Sequence, residues 1–187
     1  FPIILSQNGE TLHNHSHHQI LTDGRLIVID AGAETNTNYC SDFTRTIPSS
    51  GKFTTKQKEI YDIVAAANNH VIEISRPGIT YTDVHLSMAR IMAQGLKDLN
   101  ILKGDVDEIV ANGAQALMMP HGLGHNMGMD VHDMEDLGEN YVGYDDKYKR
   151  STQFGLGSLR MGKMLEKGHV ITDEPGIYFI PALIEQW

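Results

Sequence analysis

Cysteine is nearly absent from this 187-residue chain: Cys40 stands alone. No internal disulfide can form, nothing in the fold calls for an oxidising compartment, and a reducing, cytoplasmic setting is the expectation. Positive charge is also scarce. The chain has 15 Lys and Arg against 24 Asp and Glu, a formal net charge of −9. Without clustered cations there is no electrostatic footing for nucleic acid or an anionic membrane, and neither partner is expected. No run approaches the roughly 18 apolar residues of a spanning helix. Phe1-Pro2-Ile3-Ile4-Leu5 lacks the charged flank and the length of a secretory leader. Because the chain starts without Met and stops at Trp187, both ends are expected to be cut. There is no low-complexity tract, internal repeat or sharp composition shift, so residues 1–187 are expected to form a single domain.

What is present is ordinary for a globular protein: 41% hydrophobic and 21% charged residues. Over residues 3–50 short apolar runs alternate with polar turns. Arg25-Leu26-Ile27-Val28-Ile29-Asp30, following the turn signal Thr22-Asp23-Gly24, is antiparallel strand material. From Thr54 the period changes. Ile60, Ile63, Val64, Ala67, Val71 and Ile74 recur at helical spacing behind a capping box of Thr54 and Gln57, predicting a helix over 54–75 stopped by Arg76-Pro77-Gly78. A second helix is predicted from near Thr82 to about Leu99, with Val84, Met88, Ile91 and Leu99 inward, and a third from Asp105 to about Met118. Beyond Pro120, glycines and prolines punctuate strand-like pieces, and the polar stretch from Glu135 to Gln153 is predicted to be a long surface loop. Strands, then helices, then strands make the class α+β.

Three segments carry chemistry. In the first, Asp30 and Asp42 bracket a polar run. Fully extended at about 3.3 Å per residue they would lie roughly 40 Å apart, so they can share a site only across a hairpin. Thr35-Asn36-Thr37-Asn38 supplies turn chemistry for one. Asp30 closes an apolar strand, where a carboxylate is costly to bury unless something cationic sits against it. Strand-end aspartates are ordinarily solvated, so the pair alone decides little.

In the second segment, His121, His125, His132, Asp130 and Asp133 lie within 13 residues. His121 and His125 have the spacing of a helical zinc motif, but its glutamate is missing, and a helix here would carry Gly122, Gly124 and Gly128 at about 1 kcal/mol each. An extended backbone passing close to another strand or a ligand fits these glycines better. One histidine would read as a satisfied core residue; three in a Gly-rich strand point to chemistry. In the third, Glu174 sits between the apolar run Val170-Ile171 and the Pro175-Gly176 turn. Asp30, Asp42, His125 and Glu174 together are mostly hard oxygen donors, suited to Mn²⁺, Mg²⁺ or Fe²⁺ rather than to a thiolate zinc site. Several bridging carboxylates imply two metals about 3.5–4 Å apart.

Taken in order, Asp30-Ala31-Gly32 with Tyr39-Cys40-Ser41-Asp42-Phe43-Thr44-Arg45, Pro120-His121-Gly122-Leu123-Gly124-His125 with Asp130-Val131-His132-Asp133, and Glu174-Pro175-Gly176-Ile177-Tyr178 resemble the pita-bread metallopeptidases, specifically aminopeptidase P and prolidase. The resemblance covers nearly the whole chain. It implies a curved antiparallel sheet with flanking helices and removal of the residue before proline from Xaa-Pro peptides. It also implies two divalent ions, Mn²⁺ first, with Zn²⁺, Co²⁺ or Fe²⁺ as alternatives. Asp30, Asp42, His125 and Glu174 match four of the family's five ligands, with Glu174 also the proton shuttle. The fifth, a glutamate in a Gly-x-Arg-x-Glu-Asp strand, has no counterpart before Trp187, so this stretch alone is expected to be inactive or impaired. His121 and His132 match histidines that contact the substrate and stabilise the tetrahedral intermediate, His13 matches one near the leaving part of the site, and Arg160 matches an arginine that prolidases use for the product carboxylate.

Dipeptidase activity and a non-catalytic peptide-binding module remain alternatives at this level. Methionine aminopeptidase shares the ligand set, yet the second histidine motif reads as the proline-specific branch, and metal-free creatinase-like chemistry fits poorly with the ligands kept. The sequence leaves homo-oligomerisation and the choice between aminopeptidase P and prolidase open.

Overall fold

The structure, a computed structural model, describes residues 1–186. Its first layer is a three-stranded antiparallel sheet of β1 (Ile4–Ser6), β2 (Leu26–Ala31) and β3 (Phe43–Pro48), with β2 in the centre. The register pairs Ile4 with Asp30, and Asp30 with Thr44.

Two long helices follow, α1 (Thr55–Ile74) and α2 (Tyr81–Asp98). The capping box forms as the sequence predicts. The Thr54 hydroxyl accepts from the Gln57 N–H, and Gln57 Oε1 accepts from the Thr54 N–H at 2.9 Å, satisfying donors that a bare helix end leaves orphaned. The helix ends at Ser75, before a proline that disfavours continuation. Helix α2 is capped by Thr80 and has Asp83 in its first turn and Lys97 in its last, the sense the helix dipole favours.

The core lies along the α1–α2 contact, where Ala67 and Val71 meet Tyr81, Val84, Met88 and Met92, and it extends to Leu123, Leu159 and Met161. Gly95 permits the close approach: a Cβ there would stand 2.6 Å from Ile63 Cγ1.

Three sequence expectations need correction. The helix expected over 105–118 is α3 (Val106–Ala111) followed by a 3₁₀ turn, Ala114–Leu117. Gly113, at φ 73°, takes the left-handed conformation between them, and helices commonly end at such a glycine. The strand-like pieces after Pro120 are not regular strands. They form a short antiparallel ribbon in which the N–H groups of Met127, Thr172 and Glu174 donate to the carbonyls of Val170, His125 and Leu123 at 3.0, 3.0 and 2.8 Å.

The stretch 135–153 lies at the surface, as expected, but is not wholly irregular or solvated. It contains a 3₁₀ turn (Glu135–Leu137) and α4 (Glu139–Val142), and it buries Val142 and Tyr144. The Tyr144 hydroxyl donates to Leu159 O at 2.7 Å, and Arg150 pairs with Glu139. Two apolar anchors in a run of charges escaped a composition-based reading. A last turn, α5 (Pro181–Ile184), closes the described chain. No described helix is long and apolar enough to cross a membrane.

Replacing Gly95 by valine drives side-chain atoms into Ile63 and should destabilise the protein by roughly 1–3 kcal/mol, the usual range for overpacking. Urea denaturation of Gly95→Val against wild type reads this directly; equal midpoints would mean that the helices do not meet at this point.

Candidate metal centre

The hairpin between β2 and β3 solves the distance between the aspartates. Asp30 lies at the end of β2 and Asp42 immediately precedes β3. At the tip the Asn38 N–H donates to Thr35 O at 2.9 Å, and Asn38 takes a positive φ of 64°, a conformation asparagine tolerates. Gly32 is needed below the tip, because a Cβ there would lie 1.9 Å from Ser41 O. The two carboxyls end against each other.

The ribbon brings the other donors to the same place. Gly124 allows it to close: a Cβ at 124 would lie 2.1 Å from Thr172 O. His125 Nε2 is then 3.4 Å from Asp42 Oδ2 and 3.0 Å from Glu174 Oε1. One ligand atom from each of Asp42, His125 and Glu174 can be chosen so that all lie within 4.8 Å of one another.

The electrostatics are those of acids crowded without enough positive charge. Burial, then the charges of Asp42 and Glu174, push Asp30 up to about 7. Burial and Glu174 do the same to Asp173, also to about 7. Burial alone would lower His125, but its bonds to Asp42 and Glu174 prevail and raise it to about 10. The bond to His125 holds Asp42 below the usual carboxylate range. Burial raises Glu174, yet His125 and Thr172 outweigh it and hold Glu174 low.

These residues fit a hard divalent cation. His125 Nδ1–H donates to Asn126 O at 2.9 Å, which leaves Nε2 as the nitrogen that would coordinate, the orientation usual for a ligating histidine. Asp30 Oδ1 is buried without a hydrogen-bond partner, an acceptor that a cation would satisfy.

The remaining expected residues surround this centre. His121 Nδ1–H donates to Gly122 O at 2.8 Å, its Nε2 is buried and unpartnered, and its ring meets Tyr178 edge-on. His121 is held below the ordinary histidine value by burial, assisted by the nearby charge of His13. His13 lies on the exposed segment between β1 and β2. The His132 ring stands 4.3 Å from that of His125. Burial, His125 and Arg160 lower its pKa. Arg160 Nη1 approaches His132 Nδ1 at 3.3 Å but is already ion-paired with Glu135, and it lies 3.4 Å from Glu139. His15, His17 and His18 stay on the exposed segment, where His17 Nε2 bonds Ile3 O.

Sequence reasoning did not single out Thr172, Asp173 or Asn68. Asn68 of α1 donates to Asp173 Oδ2 at 2.9 Å. At a sequence separation of 105, no local pattern could have linked the two.

An α+β chain that gathers acids and one imidazole around a shared point is built as a metal-dependent protein. The model of Metallopeptidase family M24 matches residues 1–187, and the chain belongs to that family. A probable Xaa-Pro aminopeptidase of Fusarium vanettenii is 44% identical over 174 residues, covering 93% of this chain and 36% of that protein. A second, from Paracoccidioides brasiliensis, is 40% identical and covers 100% of this chain and 39% of its own length. Zinc-substituted Escherichia coli aminopeptidase P in complex with product superposes with a TM-score of 0.78 at 39% identity, over 96% of this chain and 36% of that one. Proline aminopeptidase P II from Yersinia pestis gives 0.79 at 40% identity, over 97% and 37%. The expected pita-bread fold is therefore the one the chain has. The chain spans less than two fifths of the length of these relatives.

Asp30 has a folded pKa near 7, above its unfolded value of 3.8. Its favourable contribution in metal-free protein is therefore complete below the unfolded value and is lost as pH rises through about 7. Asp30→Asn should stabilise the metal-free chain at pH 8 by on the order of 1 kcal/mol, discounted for a partly exposed carboxyl, and should give little gain at pH 4. Urea melts in chelator at the two pH values test this; an equal effect at both would mean that Asp30 is not repelled by its neighbours.

Proposed function

We propose that residues 1–187 supply the catalytic domain of a Xaa-Pro aminopeptidase, which hydrolyses the peptide bond before proline and releases the N-terminal residue. The observation that carries this reading is the meeting of Asp42, His125 and Glu174, with Asp30 alongside, in a chain matched to the M24 family over its whole length. Asp30, Asp42, His125 and Glu174 would hold the metals, two divalent ions with Mn²⁺ favoured over Zn²⁺, Co²⁺ or Fe²⁺ because the donors are mainly hard oxygens. The partners are small peptides with proline second. A cytoplasmic location accords with the single cysteine, and homo-oligomerisation is compatible with the same chemistry.

The metal pair, when bound, supplies a water acidic enough to attack at neutral pH and a Lewis acid for the scissile carbonyl. The chain's own groups do the rest. Glu174, held as a carboxylate by His125 and Thr172, takes the proton of the attacking water. It then passes that proton to the departing proline nitrogen, which cannot leave as an anion. The Arg160 N–H donates to His132 Nδ1, so the His132 proton sits on Nε2, free to donate to the developing oxyanion. His121 has the opposite tautomer: Nδ1–H is spent on Gly122 O and Nε2 is left as an acceptor for a substrate N–H. His13 would contact the leaving portion, a role that rests on the family resemblance alone.

Arg160 bears on the alternative. A dipeptidase would use it for the product carboxylate, but here Glu135 and Glu139 already occupy it, which favours the aminopeptidase reading. A non-catalytic peptide-binding module would be expected to lose ligands, and this chain keeps all four.

In the full-length protein, Asp42→Ala or His125→Ala should abolish Mn²⁺-dependent release of the residue before proline. His132→Ala should lower kcat by roughly 10²–10³-fold, as loss of an oxyanion donor does elsewhere. Steady-state assays on a Gly-Pro dipeptide and a longer Xaa-Pro peptide check both points. Unimpaired turnover by Asp42→Ala would exclude the mechanism, and strict preference for the dipeptide would favour the dipeptidase.

A further inference from the structure

Thr172 lies in the ribbon beside two of the proposed ligands, His125 and Glu174, and it is buried, with 5% of its surface exposed. All its polar groups are engaged. Its main-chain N–H donates to His125 O at 3.0 Å, and its carbonyl accepts the hydroxyl of Tyr81, a fully buried side chain of α2. Its own hydroxyl accepts the main-chain N–H of His125 at 3.0 Å and donates to Glu174 Oε1.

The direction of the last bond is dictated by chemistry. A threonine hydroxyl has one proton, and the His125 N–H has none of its lone pairs to offer, so that proton can go only to the carboxylate. The strand period of two puts Thr172 and Glu174 on the same face, which is why the hydroxyl reaches. Gly124 lets the facing backbone come near enough for the other bond.

From this geometry we infer that Thr172 is a positioning residue of the metal centre: its hydroxyl locks His125 and Glu174 in one mutual orientation and keeps Glu174 Oε1 engaged as an acceptor, so that Oε2 is the oxygen that carries the proton. The inference rests on the proposed metal centre and adds a residue that touches neither metal nor substrate. Tyr81 extends the lock into the helical core, tying the ribbon to α2 rather than leaving it on the surface.

Two substitutions separate this role from simple packing. Thr172→Val keeps the branched shape and removes the hydroxyl; Thr172→Ser keeps the hydroxyl and removes the methyl. Calorimetric titration of Mn²⁺ into the metal-stripped full-length protein should show affinity weakened roughly 10–100-fold for Thr172→Val, the range typical for partners of metal ligands. Thr172→Ser should stay within about threefold of wild type, well short of that range. In steady-state assays with a Xaa-Pro peptide, Thr172→Val should lower kcat with KM little changed.

Wild-type affinity in Thr172→Val, or equal losses in both variants, would overturn the inference. If Thr172→Val does not fold, Thr172→Ser decides alone: affinity within threefold sustains the role of the hydroxyl, and a loss of tenfold or more shows that the methyl was what mattered. Absence of Mn²⁺ uptake by the wild-type protein would instead sink the metal-centre reading itself, and this inference with it.

Discussion

Carboxylates repel, and a fold that buries several of them against a single imidazole is under strain unless a cation joins them. That constraint organises this molecule. Asp42 and Glu174 meet around His125, with Asp30 against Asp42, and the consequences are a carboxyl lifted towards neutrality, an imidazole lifted to about 10, and a buried oxygen with no partner. Each would be relieved by hard divalent positive charge. Among the described residues His125 is the one imidazole of that cluster, and in metal-free protein it serves as the counter-ion.

The scaffold exists to hold that crowd in place. A hairpin with a left-handed asparagine at its tip supplies the aspartates, and an antiparallel ribbon with glycines at its closest approaches supplies His125 and Glu174. The Cys40 N–H donates to Gly128 O at 2.8 Å, joining hairpin to ribbon. Behind the ribbon, Tyr81 from α2 and Asn68 from α1 bond to Thr172 and Asp173, so the helical core braces the site through hydrogen bonds rather than only through apolar contact. The candidate ligands thus sit on a hairpin and a short irregular ribbon, while the long helices provide stiffness.

Much of this was legible beforehand, for identifiable reasons. Helices α1 and α2 were readable because capping residues and apolar period agree in them, as at Thr54 with Gln57. The candidate ligands stand out chemically from their surroundings, as an aspartate closing an apolar strand or a histidine among glycines, and the structure brings Asp42, His125 and Glu174 close together. What escaped depends on long-range geometry. Gly113 breaks a helix that periodicity alone extends to Met118. Val142 and Tyr144 find burial inside a stretch whose composition reads as solvated. The pairing of Arg160 with Glu135 and Glu139, and the bracing by Asn68 and Tyr81, join residues that carry no local mark of each other.

The central claim is that these four side chains form one cation site. Anomalous diffraction at the manganese edge, from crystals of the full-length protein grown with Mn²⁺, tests it most directly. The account predicts two peaks in contact with Asp30, Asp42, His125 and Glu174. Peaks confined to other side chains, or none at this cluster at saturating metal, would contradict it.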